Sequence, residues 1–172
     1  MKLPVVSIAV SLNEIPDHIA IAIELGNCKQ KCKGCHSPWN GRTLNYKCWT
    51  ELEDILYQVN SQIKKGANAI VLMGGTNNNI PVENLIEAIN VLGCYAPIGL
   101  YSGLPDSADI HKVLKTYTKL QWLKTGSYDA KLGGLDSPTT NQKFWEYDYD
   151  NMVWVDETCL FYQRKDNKIE KD

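Results

Sequence analysis

The chain alternates short apolar segments with amphipathic ones, and this alternation constrains its fold more than any other feature of the sequence. Residues 69–73 are an apolar run that ends at two glycines, and an amphipathic stretch lies on either side of it. The first stretch begins at residues 50–53 with the Thr-x-x-Glu pattern of a capping box, and the second begins at Pro81. Such an alternation of strand and helix predicts βα units around a parallel sheet.

Further segments continue the same alternation. Another helix is predicted after Asp106 or Ser107, either of which is expected to cap it. Roughly four to five βα units fit in this length, whereas a closed eight-unit barrel takes ~250 residues. The predicted fold class is therefore α/β, a partial, open βα barrel whose parallel sheet carries helices on its outer face. The remaining predicted strands are residues 5–12, 18–25, 98–101 and 120–123.

Length and charge limit the domain organisation and the classes of function. The 172 residues fit one domain, which we place at residues 1–163, followed by a charged end at residues 164–172 that we expect to be frayed. The net charge of −2 argues against a general nucleic-acid binder, and no apolar run approaches the ~20 residues that span a membrane. The first residues lack a signal-peptide pattern, so we expect a cytoplasmic protein with reduced thiols.

Three closely spaced cysteines, Cys28, Cys32 and Cys35, carry most of the chemical information in the sequence. Thiolates at these spacings can bind three corners of a [4Fe–4S] cube, whereas a cluster used only for electron transfer normally has four cysteines. The fourth iron is then open to another ligand. Zinc also binds three cysteines and a histidine, but His36 follows Cys35 directly, and zinc ligands are usually separated by a few residues. The spacing therefore favours the iron–sulfur cluster, with zinc as the alternative.

Small and polar residues follow several of the predicted strands. The cysteine loop, Gly74-Gly75, Ser102-Gly103 and Thr125-Gly126 each fall at the C-terminal end of one. Ligands of parallel α/β proteins bind at the C-terminal ends of strands. We therefore expect these four loops to face one another.

Several segments in this order resemble one family. They are residues 14–17, 34–38, 72–75, 100–103, 123–126 and 132–142. Over about residues 5–142 the chain resembles the activating proteins of anaerobic ribonucleoside-triphosphate reductases, which are small radical S-adenosylmethionine (radical SAM) enzymes. The cysteine motif identifies the superfamily, and His36 together with the Ser-Pro-Thr-Thr-Asn-Gln run indicates this branch.

The resemblance implies an oxidoreductase that activates a glycyl-radical enzyme, on a partial barrel of the radical SAM type. A reduced [4Fe–4S] cluster on Cys28, Cys32 and Cys35, the implied metal-binding and catalytic residues, would pass one electron to S-adenosylmethionine. Methionine and a 5′-deoxyadenosyl radical result, and the radical takes hydrogen from a glycine of the partner, the large subunit of the anaerobic reductase. A low-potential electron donor such as a flavodoxin is the second implied partner.

The resemblance also assigns residues to the cosubstrate. Gly34, Cys35 and His36 match the segment that lies along its adenine. Gly74 and Gly75 match a turn beside its amino group, where the missing side chains let the backbone approach closely. An ordinary strand-to-loop turn is the alternative for the two glycines.

One position departs from the family pattern. The superfamily commonly has an acidic residue after the two glycines, and this chain has Thr76. A neutral oxygen still accepts a hydrogen bond from the amino group, without the charge-assisted component. Ser102, Lys124 and Asn141 are further candidates for polar contacts with the cosubstrate or the partner loop. Their alternatives are a cap, a surface charge and a turn residue.

The remaining cysteines and aromatic residues have simpler interpretations. Cys48, Cys94 and Cys159 have no matching spacing, and we expect them to be buried as small apolar residues. An aromatic and acidic segment near the C-terminus could form a docking surface for the reductase or close the open edge of the core. Its aromatic residues are Trp145, Tyr147, Tyr149 and Trp154.

Three other functions also fit the sequence. One is radical SAM activation of a different glycyl-radical enzyme, or modification of a small molecule. Another is a non-enzymatic iron–sulfur or zinc protein. A third is a degenerate family member that binds a partner without turnover.

Overall fold

The computed structural model describes residues 1–162 of the chain. The described residues contain nine strands and three α-helices. The helices are α1 (Leu52–Ile63), α2 (Val82–Leu92) and α3 (Asp109–Tyr117). The strands are β1 (Lys2–Leu3), β2 (Val5–Ser11), β3 (Ala20–Leu25), β4 (Thr50–Glu51), β5 (Ala69–Met73), β6 (Ile98–Tyr101), β7 (Leu120–Thr125), β8 (Lys143–Asp148) and β9 (Val153–Asp156).

Seven strands form one mixed sheet in the order β2-β3-β5-β6-β7-β8-β9. The four central strands, β3, β5, β6 and β7, are parallel to one another. The strands at both ends of this sheet are antiparallel to their neighbours. The α/β class is thus confirmed, and the expectation of a parallel sheet is wrong for β2, β8 and β9. Two consecutive strands can pair in parallel only if a connection of a dozen or more residues joins them. The connections between β2 and β3 and between β8 and β9 are shorter than this.

Two predicted helix caps are wrong. Thr50 and Glu51 lie in β4, where they pair with Leu3 and Lys2 of β1. Glu51 is therefore the N-cap of α1, and its side chain makes no capping hydrogen bond. Helix α3 begins after Ala108 rather than after Asp106 or Ser107, again without a side-chain cap. Only α2 starts as predicted, directly after Pro81.

One face of the large sheet is covered by the helices, and we call it the helix-covered face. Alternate residues of a strand point to opposite faces, and the large aliphatic residues of the central strands point to this one. They pack with buried residues of all three helices in a single cluster. The residues that the four central strands contribute to this cluster are Ile21, Ile23, Leu25, Ile70, Leu72, Ile98, Leu100, Leu120 and Leu123.

The opposite face, here the loop-covered face, carries a separate cluster, to which β3 and β5 contribute mainly small side chains and β7 and β8 contribute Trp122 and Phe144. Ile15, from the segment between β2 and β3, packs against Gly99, whose Cβ position would lie 3.1 Å from Ile15 Cδ1. Leu135 joins this cluster from the connection between β7 and β8. Loop residues, together with Phe161, thus shield this face, and α1, α2 and α3 do not. Its buried strand residues are Ala20, Ala22, Ala69, Val71, Met73, Trp122 and Phe144.

The aromatic and acidic segment forms β8 and β9 and extends the sheet. Trp145 and Trp154 are partly buried against the helix-covered cluster. The Lys115 ammonium lies 4.6 Å and 5.0 Å from the centres of their rings. Tyr147 packs against both Tyr149 and Trp154. These contacts agree with closure of the core, and the docking role stays a prediction.

No helix in the described part of the chain is long and apolar enough to cross a membrane. The charged end at residues 164–172 lies outside the described residues, so the domain limit at residue 163 stays a prediction.

Candidate functional site

The four loops predicted to face one another meet at one edge of the sheet. They follow β3, β5, β6 and β7, whose parallel order places their C-terminal ends together, and we call this the C-terminal edge. Lys29 of the cysteine loop donates its backbone N–H to the Asn77 carbonyl over 3.1 Å. Ser102 donates likewise to Lys124 over 2.7 Å, and Gly126 to Leu104 over 2.7 Å. The loops are therefore in direct contact, as predicted.

The cysteine loop leaves β3 and turns sharply between its thiols. Lys31 and Gly34 both have positive φ, at 49° and 75°. Cys28, Cys32 and Cys35 are each partly buried. Burial is the main effect that raises the pKa of Cys35, and the charges of Cys32 and Cys28 add to it. A backbone hydrogen bond from Ser37 and the charge of Lys124 oppose that shift.

The donor set fits an iron–sulfur cluster in its chemistry, because three thiols lie on one loop within electrostatic reach of one another. Their arrangement is not that of assembled ligands. Among residues 1–162, no group of three or more His, Cys, Asp or Glu side chains is placed to hold a metal ion.

Lys124 brings a positive charge to the thiols. Burial lowers the pKa of its ammonium to about 8, although the charges of Cys32, Cys35 and Glu14 favour the protonated form. Its Nζ donates a hydrogen bond of 2.9 Å to the Gly126 carbonyl. The surface-charge alternative for Lys124 therefore does not hold.

Glu14 links the cover of the loop-covered face to the cysteine loop. Its Oε1 lies 3.5 Å from His36 Nε2, and the Tyr101 hydroxyl donates to its backbone carbonyl. Burial is the largest influence on the Glu14 carboxyl and raises its pKa, against the charge of His36. His36 itself is 79% exposed at its side chain. Glu14 was not predicted as a site residue, although it lies in one of the family-like segments.

Gly74 and Gly75 have positive φ values of 106° and 118°, a conformation that side chains disfavour. A Cβ atom on Gly74 would lie 3.0 Å from the Asn78 amide, and one on Gly75 would lie 3.0 Å from Leu85 Cδ1. The protein's own side chains thus fill the space beside both glycines. This turn requires glycine for backbone conformation and packing, whether or not a ligand approaches.

Asn78 is a positioning residue that the sequence did not reveal. It is 1% exposed, and its Oδ1 accepts the Gly75 N–H over 2.7 Å. Its Nδ2 donates to the carbonyls of Leu25 and Gly26 over 2.9 Å and 2.7 Å. Asn78 therefore joins the glycine turn to the end of β3, where the cysteine loop begins. The sequence does not distinguish Asn78 from its neighbours, because residues 77–79 are all asparagine.

Thr76 and Ser102 are brought together, and a third residue joins them. Their hydroxyl oxygens lie 2.7 Å apart, and His111 Nε2 lies 2.8 Å from Ser102 Oγ. Ser102 and His111 are each 1% exposed. His111 lies on α3 beside apolar residues, and the sequence did not indicate it as a site residue.

The other predicted residues serve the loops themselves or lie elsewhere. Asn141 donates to the Ser127 carbonyl over 3.0 Å, which supports its alternative as a turn residue. The expectation that Cys48, Cys94 and Cys159 are buried is wrong, since all three are exposed. Cys48 ends a short 3-10 helix, and Cys94 and Cys159 lie in turns, so that no core surrounds them.

Comparison with protein-family models, with curated proteins and with solved structures gives no significant match.

Proposed function

We propose that this protein is a radical SAM enzyme that generates the glycyl radical of an anaerobic ribonucleoside-triphosphate reductase. The observation that carries the proposal is the meeting of the cysteine loop with Thr76, Ser102 and Lys124 at the C-terminal edge. In this proposal the mixed sheet is the open, partial barrel of that superfamily. The remaining support is the resemblance of the cysteine motif and of the segments that follow the strands.

Cys28, Cys32 and Cys35 are the proposed ligands of a [4Fe–4S] cluster, which supplies one electron to the sulfonium of S-adenosylmethionine. Lys124 is positioned to offset the negative charge of the thiolates, because the charges of Cys32, Cys35 and Glu14 favour its protonated form, and its Nζ donates to the Gly126 carbonyl. The pKa of about 8 leaves most of this amine protonated at neutral pH.

The loop-covered face has a second role in the proposal. A carbon radical reacts with most C–H bonds within reach, so water and mobile side chains must be excluded from it. Ile15 and Leu135 shield this face, and Glu14 ties the same cover to His36 of the cysteine loop.

The proposed partners follow from the reaction. The large reductase subunit presents a glycine loop, and a low-potential donor such as a flavodoxin supplies the electron. Both interactions would take place in the cytoplasm.

Anaerobic reconstitution with iron and sulfide, followed by dithionite and S-adenosylmethionine, tests the proposal. We expect the wild type to release 5′-deoxyadenosine and Cys32→Ser to release none. Cys94→Ser is the matched control, since Cys94 is exposed and its thiol donates to the Asn90 carbonyl and accepts from the Lys119 ammonium. Absence of product from the wild type would contradict the proposal.

The substrate is tested separately by electron paramagnetic resonance. A candidate reductase mixed with the active protein should acquire a glycyl-radical doublet. Release of 5′-deoxyadenosine without that doublet would support a radical SAM enzyme and would reject this reductase as its partner.

A further inference from the structure

A chain of hydrogen bonds runs from the C-terminal edge into the protein and ends at His111. Ser102 lies in the middle of the chain, 2.7 Å from Thr76 Oγ1 and 2.8 Å from His111 Nε2. The Leu104 backbone N–H also donates to Ser102 Oγ, over 3.2 Å. On its other side, His111 Nδ1 lies 3.3 Å from the Asp106 carbonyl. The four contacts together determine where each proton lies.

The Asp106 carbonyl sets the direction of the chain, because a carbonyl oxygen can only accept. His111 Nδ1 must therefore carry a proton, and in a neutral imidazole Nε2 is then an acceptor. The Ser102 hydroxyl has one proton and two lone pairs, and it gives the proton to Nε2. Its lone pairs receive the Leu104 N–H and the Thr76 hydroxyl proton. The Thr76 hydroxyl proton thus points inward. The lone pairs of the Thr76 oxygen can then accept a hydrogen bond from a ligand at the C-terminal edge.

His111 is neutral near pH 7. Burial is the largest effect on the imidazole and lowers its pKa from 6.5, and the charge of Lys115 on the same helix acts in the same direction. The carbonyl and the carboxylate of Asp106 act against that shift.

We propose that His111 is a positioning residue that acts through Ser102 to make the Thr76 hydroxyl a fixed hydrogen-bond acceptor for the amino group of the cosubstrate. This inference rests on the proposed function and extends it to a residue on α3. An unfixed hydroxyl could turn its proton towards the amino group and repel it. The buried chain excludes that orientation, so Thr76 presents an acceptor where related enzymes commonly have a carboxylate.

The direction of the chain can be measured without cofactor or cosubstrate. Long-range ¹H–¹⁵N spectra of the full-length protein at pH 7.5 should show His111 as the tautomer with the proton on Nδ1. A proton on Nε2 would make His111 the donor to Ser102 and Ser102 the donor to Thr76, and would overturn the inference. This result does not depend on the proposed function.

The role of Thr76 is tested by calorimetry on the anaerobically reconstituted protein. Thr76→Val removes the hydroxyl at nearly constant volume and should weaken S-adenosylmethionine binding about tenfold, or about 1.4 kcal/mol. Thr76→Ser should retain wild-type affinity. A second ligand, the analogue of S-adenosylmethionine that lacks the amino group, cannot donate to Thr76. Neither variant should change the affinity for this analogue. The control is Thr116→Val, since Thr116 is an exposed residue of α3 whose hydroxyl bonds only to the Lys112 carbonyl among the described contacts.

His111→Phe completes the test, because it removes the Nε2 acceptor and frees the Ser102 proton to turn towards Thr76. We expect the same tenfold loss for S-adenosylmethionine and none for the analogue. Equal binding of S-adenosylmethionine by the wild type and Thr76→Val would overturn the inference and leave the proposed function standing. A wild type that binds no S-adenosylmethionine would overturn both. If His111→Phe does not fold, the tautomer of His111 and the pair of variants at Thr76 together still decide the question.

Discussion

The two faces of the large sheet are built from different residues, although the same strands supply both. On the helix-covered face, leucine and isoleucine pack against three helices. On the loop-covered face, small residues of β3, β5 and β6 lie in the same cluster as Trp122 and Phe144 and meet loop residues such as Ile15 and Leu135. The first face is organised for burial of apolar area. The second leaves room for loops to pack close to the strands that lead to the C-terminal edge.

The difference continues along the strands of the loop-covered face. Gly99 and Trp122 pair at the buried level of β6 and β7, and Tyr101 and Lys124 pair two residues further on. The first pair lies in the core, and the second pair lies at the candidate site. Lys124 is therefore held by the same strand that anchors Trp122 in the core, which explains how an amine can be buried beside thiols.

The largest expected effect separates the two faces directly. Leu72 and Val71 are adjacent, fully buried and on opposite faces. Leu72→Ala should lower the free energy of unfolding by about 3 kcal/mol, from lost burial plus a cavity. Val71→Ala removes two carbons and should cost about 1.5 kcal/mol. Urea titration of both variants measures the gap, and equal losses would mean that the faces pack alike.

The next effect concerns the join between the glycine turn and β3. Asn78→Ala leaves the Gly75 N–H and two carbonyls without their buried partner, so we expect a loss of about 2 kcal/mol in unfolding free energy. Asn77→Ala is the matched control, since the Asn77 side chain bonds to Gln30, and it should cost about 0.5 kcal/mol or less. Comparable losses in the two variants would show that Asn78 does not anchor the turn.

A smaller effect comes from His111 and depends on pH. Its pKa is lowered in the folded protein, so the unfolded chain takes up a proton first as pH falls. Stability should be fully present above about pH 6.5, the unfolded value, and should decline below it. The wild type should lose more unfolding free energy between pH 7.5 and pH 5 than His111→Phe. Parallel pH profiles for the two proteins would contradict this assignment.

The smallest effect lies at the edge of the sheet, away from both faces. Lys143 and Asp156 form an ion pair of 2.8 Å with both side chains partly exposed. Lys143→Met should change the unfolding free energy by about 0.5 kcal/mol at low salt and by less at high salt. A loss as large as that of Asn78→Ala would show that the pair of β8 and β9 is more central to the fold than its position suggests.

Patterns of neighbouring residues in the sequence correctly predicted those strands and helices whose bounds depend mainly on neighbouring residues. Strand β5 and helix α2 have the predicted bounds, because an apolar run before two glycines and an amphipathic stretch after Pro81 leave little choice. The capping box at residues 50–53 failed because a distant segment, β1, holds Thr50 in a strand. Strand pairing across the chain outweighed the local signal there.

Only part of the candidate site was predictable from the sequence, again because some of its features depend on contacts between distant segments. The cysteines and the residues that follow strands were visible in the sequence, since motif and position indicate them. Asn78 and His111 were not, because their roles arise from contacts with Leu25 and Ser102 that depend on the folded sheet. A buried asparagine and a buried histidine resemble their exposed counterparts in a sequence.

The most direct test of the account is the electron paramagnetic resonance spectrum of the reconstituted, reduced protein with and without S-adenosylmethionine. The account predicts a [4Fe–4S] signal that changes when the cosubstrate binds the open iron, and that Cys28→Ser, Cys32→Ser and Cys35→Ser each abolish. A cluster signal that S-adenosylmethionine leaves unchanged, or a protein that binds only a mononuclear metal, would contradict it.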